Sequence, residues 1–132
     1  EWVDVLGMDG YNWGDTQTVE HHGWKSAWRG FGEIFRDLYG ELRDLSRGKP
    51  IVVFETASVA EGGDREAWIR DALDVMAQWR ISGFNWFQVV KEQDWSLRRG
   101  RDDRVLDEIR RNTMRSADPA MFFPWSPGKK EP

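Results

Sequence analysis

Residues Lys49 to Ser58 read KPIVVFETAS. Ile51, Val52, Val53 and Phe54 form an unbroken apolar run of strand length. Such a run argues for burial on both faces, as in a parallel sheet, because a strand with one wet face would alternate. Pro50 stands at the strand's first position, where its missing N–H does little harm. Glu55 follows at once, a carboxylate at the tip of what reads as a buried strand.

The neighbouring segments extend the pattern. Trp2 to Met8 is strand-like and is bounded by the turn-rich Asp9-Gly10-Tyr11-Asn12-Trp13-Gly14-Asp15. A polar loop runs to about residue 27. Phe31, Ile34, Phe35, Leu38, Tyr39, Leu42 and Leu45 then recur at spacings of three and four, the stripe of an amphipathic helix. After the strand at Ile51, Gly62-Gly63 leads to Asp64, a good N-cap. Trp68, Ile69, Ala72, Leu73, Met76 and Trp79 trace a second helix from there. Gly83 to Val90 reads as a third strand ending in Lys91-Glu92-Gln93-Asp94. Asp102 or Asp103 then caps a third helix carrying Val105, Leu106 and Ile109. From about Thr113 the chain holds four of its five prolines and reads as an irregular tail.

The order is β-α-β-α-β-α, which means a parallel sheet flanked by helices. An open nucleotide-binding sheet should carry a glycine-rich phosphate loop after its first strand. Here bulky aromatics stand in that place. The alternative is part of a (β/α)8 barrel, whose strands bring their C-terminal ends to one active face. Asp9 and Tyr11, Glu55, and Trp86 with Gln88 lie near the ends of the three strands. A whole barrel needs about 250 residues, so 132 residues make a piece of one.

Composition narrows the partners. Apolar residues make up 39% and charged residues 32%, with a formal charge of −4. That balance gives no reason to expect nucleic acid or an anionic membrane. No run approaches the roughly 20 apolar residues of a membrane span. There is no cysteine, hence no disulfide framework and no thiolate metal site. The adjacent His21 and His22 do not share a helical face and lack an evident third ligand, so no metal or other cofactor is expected. Nine Trp against two Tyr is unusual. Indoles suit core packing and also stacking on sugar rings.

Position alone leaves Glu55 divided between two roles. A carboxylate fixed by a rigid strand can attack a bound ring carbon, or it can pair with an arginine or cap the next helix. A resemblance adds to this. VDVLGMDGYNWG (3–14), KPIVVFETASVAEGGDREAWIRDAL (49–73) and GFNWFQVVKEQDW (83–95) together resemble the C-terminal part of a glycoside hydrolase family 26 catalytic domain, a β-mannanase-like (β/α)8 hydrolase. The resemblance covers residues 1–112, leaving 113–132 as the tail, and numbers the three strands six to eight.

It implies that Glu55 is the catalytic nucleophile and that Tyr11 hydrogen-bonds it. It implies also that Asp9 lines the sugar subsites and that Trp86 floors the subsite of the cleaved sugar. Trp13, just beyond Tyr11, stands open between subsite wall and local packing. The implied reaction is double displacement, with a second carboxyl about 5–5.5 Å from the first. That acid/base Glu, preceded by His, closes the fourth strand in the family. It therefore falls in the N-terminal half of the barrel, outside this chain. Glu61 and Glu92 are poor substitutes, so the chain alone is expected not to hydrolyse glycans. Release of reducing sugar by the pure chain, abolished by Glu55→Gln, would overturn this.

The implied substrate is a β-linked polysaccharide. Endo-β-1,4-mannanase comes first, with β-1,3-1,4-glucanase and xylanase as relatives of the same frame. A non-catalytic barrel that binds glycan or serves polysaccharide export is the alternative, and a free-standing small α/β domain a third reading. The family is secreted, although no signal peptide is visible in the sequence.

Overall fold

A computed structural model describes residues 3–116, with side chains to residue 112. Strand β1 spans Leu6–Asn12, followed by the short helix α1 (Val19–His22) and by α2 (Phe31–Leu45). Strand β2 spans Ile51–Ser58, α3 Arg65–Gln78, β3 Gly83–Trp86 and α4 Asp103–Ser116. The three strands form one parallel sheet in the order β1-β2-β3.

The helices form where the apolar period ends in a usable cap. The Gly30 N–H donates to the Glu33 carboxylate at 2.7 Å and closes the first turn of α2. The Asp64 carboxylate accepts the Ala67 N–H at 2.9 Å and starts α3 where the sequence places it. Phe31 and Phe35 from α2, Trp68, Ile69, Ala72 and Met76 from α3, and Val105 from α4 meet Leu6, Met8, Ile51 and Val53 in one core. All three long helices thus cover the same face of the sheet.

Among the described residues the other face carries no helix, and its N-terminal half is uncovered. Phe54 is 47% exposed and Val5 39%. The Phe54 ring lies over Gly7, so close that any Cβ there would meet it. The run from Ile51 to Phe54 is therefore not buried on both sides. Ile51 and Val53 are sealed under the helices, and Phe54 faces outward.

The strand limits differ from the sequence reading in three places. The segment at residues 3–5 precedes β1, and Trp2 lies outside the described residues. The Asp9-Gly10-Tyr11-Asn12 segment, expected as turn, is the second half of β1. Its residues pair with Glu55 to Ser58, and the close approach of α2 explains its glycine. A Cβ on Gly10 would press on Ile34 and Phe35 at under 3 Å. Strand β2 continues through Ser58, so Glu55 lies inside a strand, not at its tip. Strand β3 stops at Trp86, four residues short of the expected end at Val90. Beyond it the Gln88 side-chain amide takes over the pairing, accepting from Leu97 N–H at 3.0 Å and donating to Leu97 C=O at 2.5 Å.

At the other end α4 runs to Ser116, past the expected boundary at 112. No helix breaker stands before Pro119. The rest of the expected tail, 117–132, lies outside the described residues.

Candidate functional site

Glu55 owes its direction to a β-bulge. Met8 pairs with Val53, but the next residue of β1, Asp9, pairs with Glu55, leaving Phe54 as an extra residue. The pairing to β3 slips in the same place, between Val53 and Thr56. Side chains alternate along a strand. Plain alternation through Ile51 and Val53 would put Glu55 beneath the helices. The extra residue reverses the phase, so Glu55 emerges with Asp9 on the uncovered face. Bulges commonly re-aim a side chain next to a site in this way. Thr56, one residue on, returns to the helix-covered face and is 1% exposed.

Tyr11 meets Glu55 there. Asp9 pairs with Glu55 and Tyr11 with Ala57, so Tyr11 lies one alternation further along the same face. Its phenol donates a short hydrogen bond to Glu55 Oε2. Burial raises the Tyr11 pKa well above its ordinary value. The bond to Glu55 and the charges of Glu55, Asp9 and Glu92 raise it further. The phenol therefore stays protonated, and a protonated phenol can only strengthen the charged form of the carboxylate that it serves.

The Tyr11 ring is held edge-on by Phe87, with centroids 5.5 Å apart, and at a tilt by Trp95 at 5.4 Å. Trp95 is 1% exposed and is the centre of a second small core with Ala57 and Val59 at the C-terminal end of the sheet. Trp13 packs against Trp95 at 4.8 Å and against Trp24 at 5.7 Å, so it takes part both in local packing and in a partly open wall. Asn12 ties this end together. Fully buried, it donates from Nδ2 to Ser58 Oγ at 3.0 Å. Its Oδ1 accepts the N–H groups of Gly14 at 3.2 Å and Arg29 at 3.1 Å.

The structure brings Glu55, Tyr11 and Asp9 together and sets Trp86 apart from them. Trp86 pairs with Thr56, so it shares the helix-covered face. Its indole meets Trp68 at 6.3 Å, and its Nε1–H donates to the Trp95 carbonyl at 2.7 Å. Trp86 thereby supports the segment that carries Trp95.

The charge of Glu92 is the smallest of the effects that raise the Tyr11 phenol. The bond from Lys91 leads the effects that hold its carboxyl below the usual range, and a bond from Trp95 adds to it. An ionised carboxylate has no proton to give a leaving group. His22 Nδ1 accepts the Thr18 N–H at 3.1 Å within its own short helix. No described helix is long and apolar enough to cross a membrane.

Trp95 is the residue that sequence reasoning passed over. It is distant from Tyr11 along the chain and follows a polar loop, so no local period marks it. The surplus of Trp, and the place of Trp95 at the end of GFNWFQVVKEQDW, were the available signals.

No family model matches the chain. Over 98 residues it is 35% identical to Endoglucanase H of Acetivibrio thermocellus. The match takes in 73% of this chain and 10% of that protein, so the chain spans about a tenth of the relative's length. The chain is thus related to one stretch of a much longer protein named as a polysaccharide-cleaving enzyme.

Proposed function

We propose that the chain is the C-terminal part of the (β/α)8 catalytic domain of a retaining glycoside hydrolase, with Glu55 as nucleophile. The carrying observation is the Tyr11–Glu55 hydrogen bond on the uncovered face, beside Asp9. The architecture supports the same reading. Strands in consecutive order with helices on one face alone are what three successive units of a barrel contribute. A doubly wound sheet has helices on both faces. The outward-facing Phe54 matches a residue that a closed barrel would fill inward.

Glu55 then attacks the anomeric carbon through Oε1 while Tyr11 holds Oε2. The bond to the leaving oxygen breaks as the glycosyl–Glu55 ester forms. Protonation of that oxygen, and activation of water in the second step, fall to a carboxyl on barrel strands outside this chain. Asp9, exposed beside Glu55, is placed to accept sugar hydroxyls. The endoglucanase name of the relative moves a β-glucan ahead of the mannan that the sequence resemblance favoured.

The test is covalent trapping in the protein that carries this chain. A 2-deoxy-2-fluoro cellobioside with a dinitrophenolate leaving group needs no general acid, and its mannobioside counterpart tests the other sugar. Peptide mass spectrometry should find the glycosyl adduct on Glu55 and none in Glu55→Gln. An adduct on another carboxylate, or none with either donor, would sink the assignment.

A further inference from the structure

The aromatic cluster does not stop at Tyr11. Ring contacts run without a break from Tyr11 to Trp95, on to Trp13, and then to Trp24, whose indole is 44% exposed. Trp24 and Trp28 look equivalent in the sequence, four residues apart. They are not equivalent in the fold. Trp28 fills the space over Gly63 so tightly that a Cβ there would lie under 3 Å from its ring, and it joins both cores. Trp24 fills nothing.

The loop that presents Trp24 is nevertheless built. Its base is closed by Ser26 N–H to Gln17 C=O at 3.2 Å and by Gln17 N–H to Ser26 Oγ at 3.0 Å, and both residues are buried. Within it α1 buries no residue and ends on Gly23 with φ 77°, a left-handed position that glycine takes without strain. The Gly23 N–H returns to Val19 C=O at 3.0 Å. This excursion adds nothing to either core. Its fixed geometry stands the edge of Trp24 against Trp13 and leaves much of the indole open to solvent.

A broad indole face open to water, continuous through ring contacts with a carboxylate–phenol pair, suits a ligand with flat apolar ring faces and hydroxyl edges. We infer that Trp24, backed by Trp13, is an outlying binding platform for a sugar ring of a β-linked glycan whose reacting ring sits at Glu55. This deepens the function proposed above and rests on it. The platform selects for chain length: an oligosaccharide long enough to reach from Glu55 to Trp24 gains a contact that a disaccharide at Glu55 cannot make.

The test uses the protein that carries this chain, with Glu55→Gln present to prevent turnover. Cellobiose and cellohexaose are titrated by calorimetry, with mannobiose and mannohexaose in parallel. Trp24→Ala should weaken hexasaccharide binding about threefold to tenfold, the size of one aromatic contact, and leave the disaccharide unchanged. Trp24→Phe should keep most of the affinity, and an unchanged thermal midpoint in both variants shows that the fold is intact. Equal hexasaccharide affinity with and without the indole overturns the inference, as does equal weakening of both ligands. Trapping of Glu55 by the fluoro-glycoside is independent of Trp24. A labelled Glu55 with an indifferent Trp24 therefore overturns the platform alone, and an unlabelled Glu55 overturns the reading beneath it.

Discussion

The two halves of the uncovered face are built on different terms. At its C-terminal end the sheet is closed over by its own loops. Asn12 is hydrogen-bonded on both sides, Trp95 is sealed, and Tyr11 is clamped between rings. Half a strand away, Phe54 stands exposed on bare sheet, and Val5 is exposed just before β1. The site end holds its geometry with side-chain contacts, whereas the lower half is bare among the described residues. A site that must keep a carboxylate and a phenol in register benefits from that local self-sufficiency.

Substitutions can break this contrast, and their expected sizes differ. Trp95→Ala should have the largest effect, costing about 3–5 kcal/mol, because it empties the centre of the upper core. A urea midpoint unchanged from the parent would show that the upper cluster is not a core at all. Asn12→Ala should cost about 2–3 kcal/mol, since it leaves the N–H groups of Gly14 and Arg29 without their partner and removes the bond to the Ser58 hydroxyl. Chemical denaturation of that variant reads this directly.

A pH series gives a third and smaller effect. The folded Tyr11 keeps its proton above pH 10, where the unfolded tyrosine loses it. The unfolded state then binds fewer protons, so stability falls as pH rises beyond about 10. Tyr11→Phe should remove that part of the decline, as seen by comparing urea midpoints at pH 8 and pH 11. Phe54→Ser, on the bare half, should change stability by no more than about 0.5 kcal/mol and should reduce self-association in sedimentation. A loss as large as that of Asn12→Ala would mean that Phe54 is structural within this chain and would erase the contrast.

Ion pairs give one more handle away from the site. Asp94 is held well below its ordinary pKa of 3.8, first by the Ser96 hydroxyl and then by Arg101. A lowered folded pKa stabilises above the unfolded value and loses that contribution as pH falls through the folded one. The 94–102 loop should therefore loosen below about pH 4, which amide exchange at Ser96 and Leu97 would detect.

Helices α2 and α3 were legible in the sequence nearly to the residue, because a long apolar period and a side-chain cap are local signals. The strands were harder. Asp9-Gly10 has the composition of a turn, yet parallel pairing with Glu55-Thr56 and the pressure of Ile34 and Phe35 make it strand. The Phe54 bulge left no trace, since a run of four apolar residues carries no alternation from which a phase slip could be read. Glu55, Tyr11 and Asp9 were chosen through the strand ends and the resemblance, and the fold places them side by side. Trp95 was not among the chosen residues, because its packing depends on loops that meet only in three dimensions.

The extra residue at Phe54 also sets how this site can be lost or gained in descent. Substitutions along β2 alter side chains but leave Glu55 on its side of the sheet. Deleting Phe54 would only close the bulge and leave Glu55 facing outward by plain alternation. Adding one residue to β1 between Met8 and Asp9 would instead pair the two strands one to one and turn Glu55, with Asp9, to the underside of the helices. The relative length of β1 and β2, more than residue type, is what lineages of this chain must conserve at that point.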